Sequence, residues 1–342
     1  MIRRILVLFL LATLVVVMLV KEAQHRWLAP LSIAPEGYHL VVEPGQRLRA
    51  IVEHMQEQGV VSYPYLLLAY GRWTGLDEKI KRGEYLIPAG TTAGKLLSLL
   101  NEGKVIQYQV TFPEGITLSR AIELLAQQPH LQRLLTGTHD ERITTLTASY
   151  PGPEGLFFPD SYRYDKGASD WQILQRAYQR MQAVLDQEWA GKESSLPYET
   201  AYEALIMASI VERETGVPVE RQQIAGVFVL RLNKRMRLQT DPSVIYGLGP
   251  TFDGNLTRKH LQDESNPYNS YRHKGLPPTA ISLPGRASIH AALHPGKGEA
   301  LYFVAKGDGS HVFSKTLQEH QKAVRSYQLN RSKNYRSSPG KK

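Results

Sequence analysis

The first pattern along the chain is an uninterrupted one: sixteen residues, Ile5 to Val20, carry no charge and are almost all Leu, Val, Ile, Ala, Met or Phe. Coiled as a helix at 1.5 Å per residue, such a run reaches about 24 Å, which flanking side chains can extend across a hydrocarbon core of roughly 30 Å. A single N-terminal transmembrane helix over 5–20 is therefore expected. The following "KEAQHRWLAP" has no small-x-small cleavage pattern, which favours an uncleaved anchor over a removed signal peptide. Arg3 and Arg4 keep residues 1–4 cytoplasmic by the positive-inside rule and send the rest across the membrane, although Lys21 and Arg26 oppose this in part. Pro30 and Pro35 make 21–36 a linker.

The hydrophobic spacing then changes period three times in the same way. "VVEPGQRLRAIVEHM", "LIPAGTTAGKLLSLL" and "TFPEGITLSRAIELL" each open with a β-rich stretch, turn at a Gly, and continue with apolar residues at i, i+3 and i+4, as Leu118, Ile122 and Leu125 do. Each predicts strand, turn, helix, with Gly45, Gly90 and Gly115 at positive φ. Such units either bind carbohydrate or are plain scaffolding. The first two copies fall in a small module over 37–110. A larger domain over 111–330 carries helical patterns near 170–190, 199–215 and 217–233, and strand patterns at 301–305 and 311–314 around the turn "KGDGS". The fold class is α+β. The basic, polar stretch 331–342 is expected to be disordered.

Composition adds two constraints. The net charge is +9 with a pI near 9.5, which suits an anionic partner. Cysteine is absent, which removes disulfides, thiolate metal sites and a thiol nucleophile. Nucleic acid is not an expected partner, because the anchor's orientation places the chain outside the cytoplasm.

Candidate chemistry centres on "ASIVERETG". Turned by about 100° per residue, Glu214 falls with Met207, Ile210 and Val211 at the end of an apolar stripe, while Glu212 points about 160° away. A carboxyl held against apolar walls keeps its proton to higher pH and can give it to a leaving oxygen, so Glu214 is the candidate acid. The alternative is a helix-end ion pair with Arg213, Arg221 or Arg231. Downstream, Gln239, Thr240, Asp241, Ser243 and Tyr246 cluster around Pro242, and Asn266, Tyr268, Asn269, Ser270 and Tyr271 precede a Gly-Leu-Pro-Pro turn. Amides, hydroxyls and tyrosine faces suit a sugar polymer; ordered turns without a ligand are the alternative. His290 and His294 stand four apart, but no HExxH glutamate or nearby acidic cluster accompanies them, so no metal is expected and His294 is placed at a helix end. No phosphate-binding loop is present, and no cofactor is expected.

These motifs carry a resemblance. "EGLFFPDSY", "ASIVERET", "RLQTDPSVIYG", "NPYNSYRHKGLPPTAISLPG", "ALHP" and "LYFVAKGDGSHVFSKTLQEH", in that order, resemble the endolytic murein transglycosylase (YceG-like) family over most of the chain. The resemblance implies a single-pass inner-membrane enzyme with a LysM-like module and a periplasmic catalytic domain. It would cut nascent peptidoglycan glycan strands internally, working with peptidoglycan synthases. The second glutamate of its Ile-x-Glu-x-Glu motif matches Glu214, with Glu212 secondary. Gln239, Thr240, Asp241, Tyr246, Asn266, Tyr268 and Asn269 are the candidates for holding the strand. Two other readings stand beside it: a lysozyme-like hydrolase pairing Glu214 with Asp241, and a non-catalytic peptidoglycan-binding scaffold.

Overall fold

The computed structural model describes residues 2–329. Helix α1 (Ile2–Leu28) is one unbroken element, and Arg4–Leu28 has mean hydropathy 2.6 with none of its most apolar window buried. It runs eight residues beyond the apolar stretch, so the expected linker begins as helix. The reason is local: "KEAQHRWL" holds good helix formers, Glu22 and Arg26 pair at 2.6 Å one turn apart, and the first proline comes only at 30. The expected tail at 331–342 lies outside the described residues.

Contacts between Cα atoms divide the chain into two compact units, Met1–Tyr108 with Arg163–Ala168, and Gln109–Tyr162 with Ser169–Lys342. In the first, β1 (Tyr38–Val42) pairs antiparallel with β2 (Gly83–Ile87), Leu40 opposite Tyr85. Helices α2 (Leu48–Glu57), α3 (Pro64–Thr74) and α4 (Ala93–Glu102) close over the sheet. Alternate strand residues Leu40, Val42, Tyr85 and Ile87 meet Ile51, Met55, Leu96 and Leu97 in one buried cluster. Strand β3 (Gln107–Thr111) leads into α5 (Leu118–Ala126) of the second unit, completing the third strand–turn–helix copy. Gly45, Gly90 and Gly115 take φ of 77°, 78° and 77°, a conformation that costs a residue with a Cβ about 1 kcal/mol. Thr92 and Thr117 then cap the second and third helices by accepting the N–H of Lys95 and Arg120.

The chain continues with α6 (Glu141–Leu146) of the second unit, β4 (Ser161–Asp165), which pairs with β3 and whose last three residues belong to the first unit, and α7 (Asp170–Ala190) of the second. Helix α8 (Ala201–Glu214) starts at a capping box in which Thr200 and Glu203 exchange hydrogen bonds with each other's backbone. Around it lie α7, α9 (Arg221–Asn233), α10 (Asp241–Leu248) and, beyond the short α11 (Arg258–Gln262), α12 (Arg286–Leu293). A hairpin of β5 (Tyr302–Ala305) and β6 (His311–Ser314), then α13 (Leu317–Val324), ends the described chain.

The expected apolar stripe on α8 is not what the structure contains. Every residue from Ala204 to Val211 is buried, Ser209 included, so α8 is a central helix without a wet face between its first and last turns. Ser209 is accommodated because its Oγ accepts the Ile281 N–H at 3.0 Å, while the Ser282 hydroxyl donates to the Ser209 carbonyl at 3.1 Å.

Candidate active site at the end of helix α8

The two glutamates of α8 leave the helix in different directions. Glu212 accepts the Gly285 N–H at 3.0 Å and lies 3.7 Å from Arg221, which also approaches Glu114 at 3.8 Å. Burial and the Glu212 charge push the Glu114 carboxyl above its ordinary range, against the pull of Arg221. Between the glutamates, Arg213 donates to the Gly115 carbonyl at 3.0 Å, and Gly115 and Ile116 exchange backbone bonds with Leu283 at 2.8 and 2.7 Å. The third strand–turn–helix copy is thereby fastened to the end of α8.

Glu214 has no ion pair within 4.0 Å among the described residues. The three arginines that the sequence offered as partners are engaged elsewhere: Arg221 with Glu212 and Glu114, Arg213 with Gly115, and Arg231 with the carbonyls of Leu301, Arg237 and Leu238 at 2.7–3.2 Å. Half-buried and crowded by protein atoms, the Glu214 carboxyl is pushed up to about 7. Loss of hydration is the main cause; the Asp241 charge adds to it, while the Thr240 hydroxyl and the more distant charges of Arg231 and Arg213 work against it.

Facing Glu214 is the turn 237–241. Gln239 holds φ at 53°, uncommon outside glycine, with its side chain exposed. Arg231 braces the turn from beneath, donating to the Gln239 side-chain oxygen at 3.3 Å besides the carbonyls already named. Thr240 is fixed through its backbone: Ser270 Oγ accepts its N–H at 2.9 Å, and the Ser243 and Ser270 hydroxyls reach its carbonyl at 2.9 and 3.1 Å. Its own Oγ1 is buried, makes no hydrogen bond of ordinary geometry among the described residues, and acts on the Glu214 carboxyl. Asp241, exposed in the first turn of α10, accepts the Tyr271 hydroxyl at 2.6 Å.

The other expected strand-holding residues divide in two. Tyr246 and Tyr268 meet edge to face at 4.9 Å, and Tyr268 shares a 2.8 Å hydrogen bond with Thr279. Asn266 and Asn269 turn their amides inward: Asn266 to the Val244 carbonyl and Tyr268 N–H, Asn269 to the carbonyls of His260 and Asp263 and the Tyr271 N–H. Both brace the loop that carries Ser270 and Tyr271. A hollow of about 510 Å³ lined by Tyr202, Glu203 and Pro277 lies at the opposite end of α8, twelve residues or about 18 Å of helix from Glu214.

Three residues escaped the sequence reading. Glu154, in "EGLFFPDSY", is buried and raised to about 7 by loss of hydration; it accepts the Leu118 N–H at 2.9 Å and the Tyr246 hydroxyl at 3.3 Å. Arg231 was visible only as a possible partner for Glu214. Glu188 comes from α7 to His290, 2.8 Å away, and to Arg286 at 2.7 Å, with donor atoms of Glu188, His290 and His294 all within 4.8 Å of one another. An acidic group does therefore accompany the two histidines, from 102 positions away, where local spacing could not reveal it. Both its oxygens are already bonded. Burial alone would raise the Glu188 carboxyl, yet the bonds from His290 and Arg286 hold it below the usual range. His294 ends α12 as expected, but its ring stacks on His290 at 4.2 Å.

With this geometry in place, comparison with known proteins is decisive: the profile of the YceG-like family matches residues 40–326. The chain belongs to that family. An endolytic murein transglycosylase of Bacillus subtilis is 30% identical over 305 residues, covering 84% of this chain and 83% of the relative. One of Streptococcus pneumoniae serotype 2 is 25% identical over 333 residues, covering 87% of this chain and 60% of that longer protein. A crystal structure of a YceG-like protein from Listeria monocytogenes is 30% identical and superposes with a TM-score of 0.54, covering 84% of this chain and 99% of its own.

Proposed function

We propose that the protein is a membrane-anchored endolytic peptidoglycan lytic transglycosylase in which Glu214 serves as acid and then as base. The observation that carries this reading is a carboxyl raised to about 7, with no ion pair within 4.0 Å among the described residues, beside a braced turn of polar groups. A protonated Glu214 donates to the oxygen linking N-acetylmuramic acid to N-acetylglucosamine. The resulting carboxylate takes the proton of the muramic acid C6 hydroxyl as that oxygen attacks C1 of its own ring. The strand is cut, a 1,6-anhydro end forms, and Glu214 is protonated again, with no water consumed. Attack within one residue supplies much of the rate by proximity. Gln239, Tyr246 and Tyr268 would hold the strand, with the buried Thr240 fixing the turn beside the acid. The chain would sit in the inner membrane through α1 with the second unit periplasmic, the small β1–α4 unit acting as a LysM-like module and synthases supplying the strand.

Asp241 supports a second reading. Its charge reaches Glu214, so a two-carboxylate hydrolysis is chemically available. Mass spectrometry of the muropeptides released by the wild type and by Glu214→Gln decides. Anhydro ends from the wild type, with none from the variant, support transglycosylation; reducing ends support hydrolysis, and uncut strands support a binding scaffold.

A further inference from the structure

We infer that the exposed aromatic face of α3, joined by Trp27, beds the first unit into the headgroup layer of the membrane that α1 enters. The inference rests on the reading of α1 as an anchor. Five aromatic rings gather where that helix ends. Trp27 meets Tyr70 at 4.5 Å, and Tyr70 meets Trp73 edge-on at 5.9 Å. The Arg26 guanidinium lies 4.2 Å above the Tyr63 ring and donates to the Tyr65 hydroxyl at 3.2 Å. Trp73 is 82% exposed and Tyr65 55%, although a soluble surface gains nothing from showing them. Tyr65, Ala69 and Trp73 follow one another at i, i+4 and line one face of α3.

The height of this face follows from the helix. Trp27 stands seven residues past Val20, about 10 Å along the axis, and the apolar run falls about 6 Å short of the hydrocarbon thickness. Trp27 and the rings packed on it thus lie about 4–7 Å outside the hydrocarbon edge, inside a headgroup layer about 5–8 Å deep. That layer is where rings with one polar atom concentrate. The same rings could stack on sugars, but the two contacts that order them run directly to the last turn of the anchor, and this continuity favours lipid.

The absence of cysteine makes the test direct. Ala69→Cys in the full chain, carrying a nitroxide and reconstituted into phosphatidylcholine vesicles, leaves the aromatic face intact. Its relative accessibility to oxygen and to a water-soluble nickel chelate reports depth. The expected value lies between that of the free label in water and that of a Leu11→Cys label within α1, and it returns toward water when Tyr65 and Trp73 are both replaced by Ser. A water-like value at 69 with an apolar value at 11 overturns the inference while leaving the anchor intact. Water-like values at both positions overturn the anchor and the inference together. A label at 69 that ignores lipid but is immobilised by added glycan strands overturns it in favour of a sugar-binding face.

Discussion

Arg221 stands 3.7 Å from Glu212 Oε1 and 3.8 Å from Glu114 Oε2, so Glu212 has a cation beside it while Glu214 has no ion pair within 4.0 Å among the described residues. Two glutamates two positions apart on one helix thus have opposite surroundings. Glu212 has a cation and a backbone donor, as a structural carboxylate requires; Glu214 has loss of hydration and a like charge, as a proton donor requires.

Substitution should separate the two roles. Glu214→Gln keeps shape and removes the titrating proton, so turnover should fall by about 10³ with the melting temperature unchanged or raised. Glu212→Ala removes one of the two carboxylates beside the Arg221 cation and the acceptor of the Gly285 N–H, and should cost about 2–3 kcal/mol of stability. Strand cleavage measured beside thermal unfolding checks both. Equal loss of stability in the two variants would contradict the division.

How much of this was legible beforehand depended on distance along the chain. The three strand–turn–helix copies were readable because each is local: a β-rich run, a Gly at φ near 77° and a helix-period run lie within fifteen residues. The divergence of Glu212 from Glu214 followed from helix geometry alone. The all-round burial of α8 did not, because a serine in an apolar run reads as a wet face unless its partner at Ile281, 72 positions away, is known. Arg231 and Glu154 were illegible for the same reason. Their bonds reach 70 and 92 positions to Leu301 and Tyr246, and no periodicity marks a long-range hydrogen bond.

The acid's raised value sets a pH dependence. Catalysis begins with Glu214 protonated, so kcat/KM should hold at acidic pH and fall tenfold per unit above about 7. A rate profile on isolated glycan strands checks this. A profile level through pH 9 would mean that Glu214 is not the donor.

Ser270 tests the turn that faces the acid. Ser270→Ala strips the buried Thr240 N–H of its acceptor and one hydroxyl from the Thr240 carbonyl, a loss of about 1–3 kcal/mol. Because Thr240 and Asp241 both adjoin Glu214, activity should drop further than stability explains. Cleavage assayed well below the variant's melting temperature separates the two effects. Full activity there would show that the turn need not be rigid.

The close approach of α9 to the segment after α12 gives a purely structural prediction. A Cβ at Gly226 would lie 2.4 Å from the Gly296 carbonyl oxygen, a backbone atom held by the 2.7 Å bond from Gly296 N–H to Gln222. Neither side can yield by a rotamer change. Gly226→Ala should therefore cost about 1–3 kcal/mol, despite alanine's better helix propensity. Denaturant midpoints at equal m-value check it.

Glu154 gives the sharpest test of linkage between charge and stability. Its folded-state carboxyl is raised from the ordinary 4.5 of an exposed glutamate to about 7, so it binds its proton more tightly in the folded chain than in the unfolded one. The stability that this contributes is fully present below about pH 4.5 and is lost as pH rises toward 7. At 1.36 kcal/mol per unit, the loss is at most about 3 kcal/mol. Glu154→Gln keeps an acceptor for the Leu118 N–H and cannot ionise, so its stability should decline less than the wild type's between about pH 5 and pH 8.5. Glu154→Leu should be destabilised by about 1–3 kcal/mol at about pH 5, because the Leu118 N–H is then left unpaired, and its gap to the wild type should narrow by about pH 8.5 as the wild type ionises. Urea unfolding of the three proteins at the two pH values decides: parallel curves for the wild type and Glu154→Gln would show that Glu154 ionises in the folded chain as freely as in water.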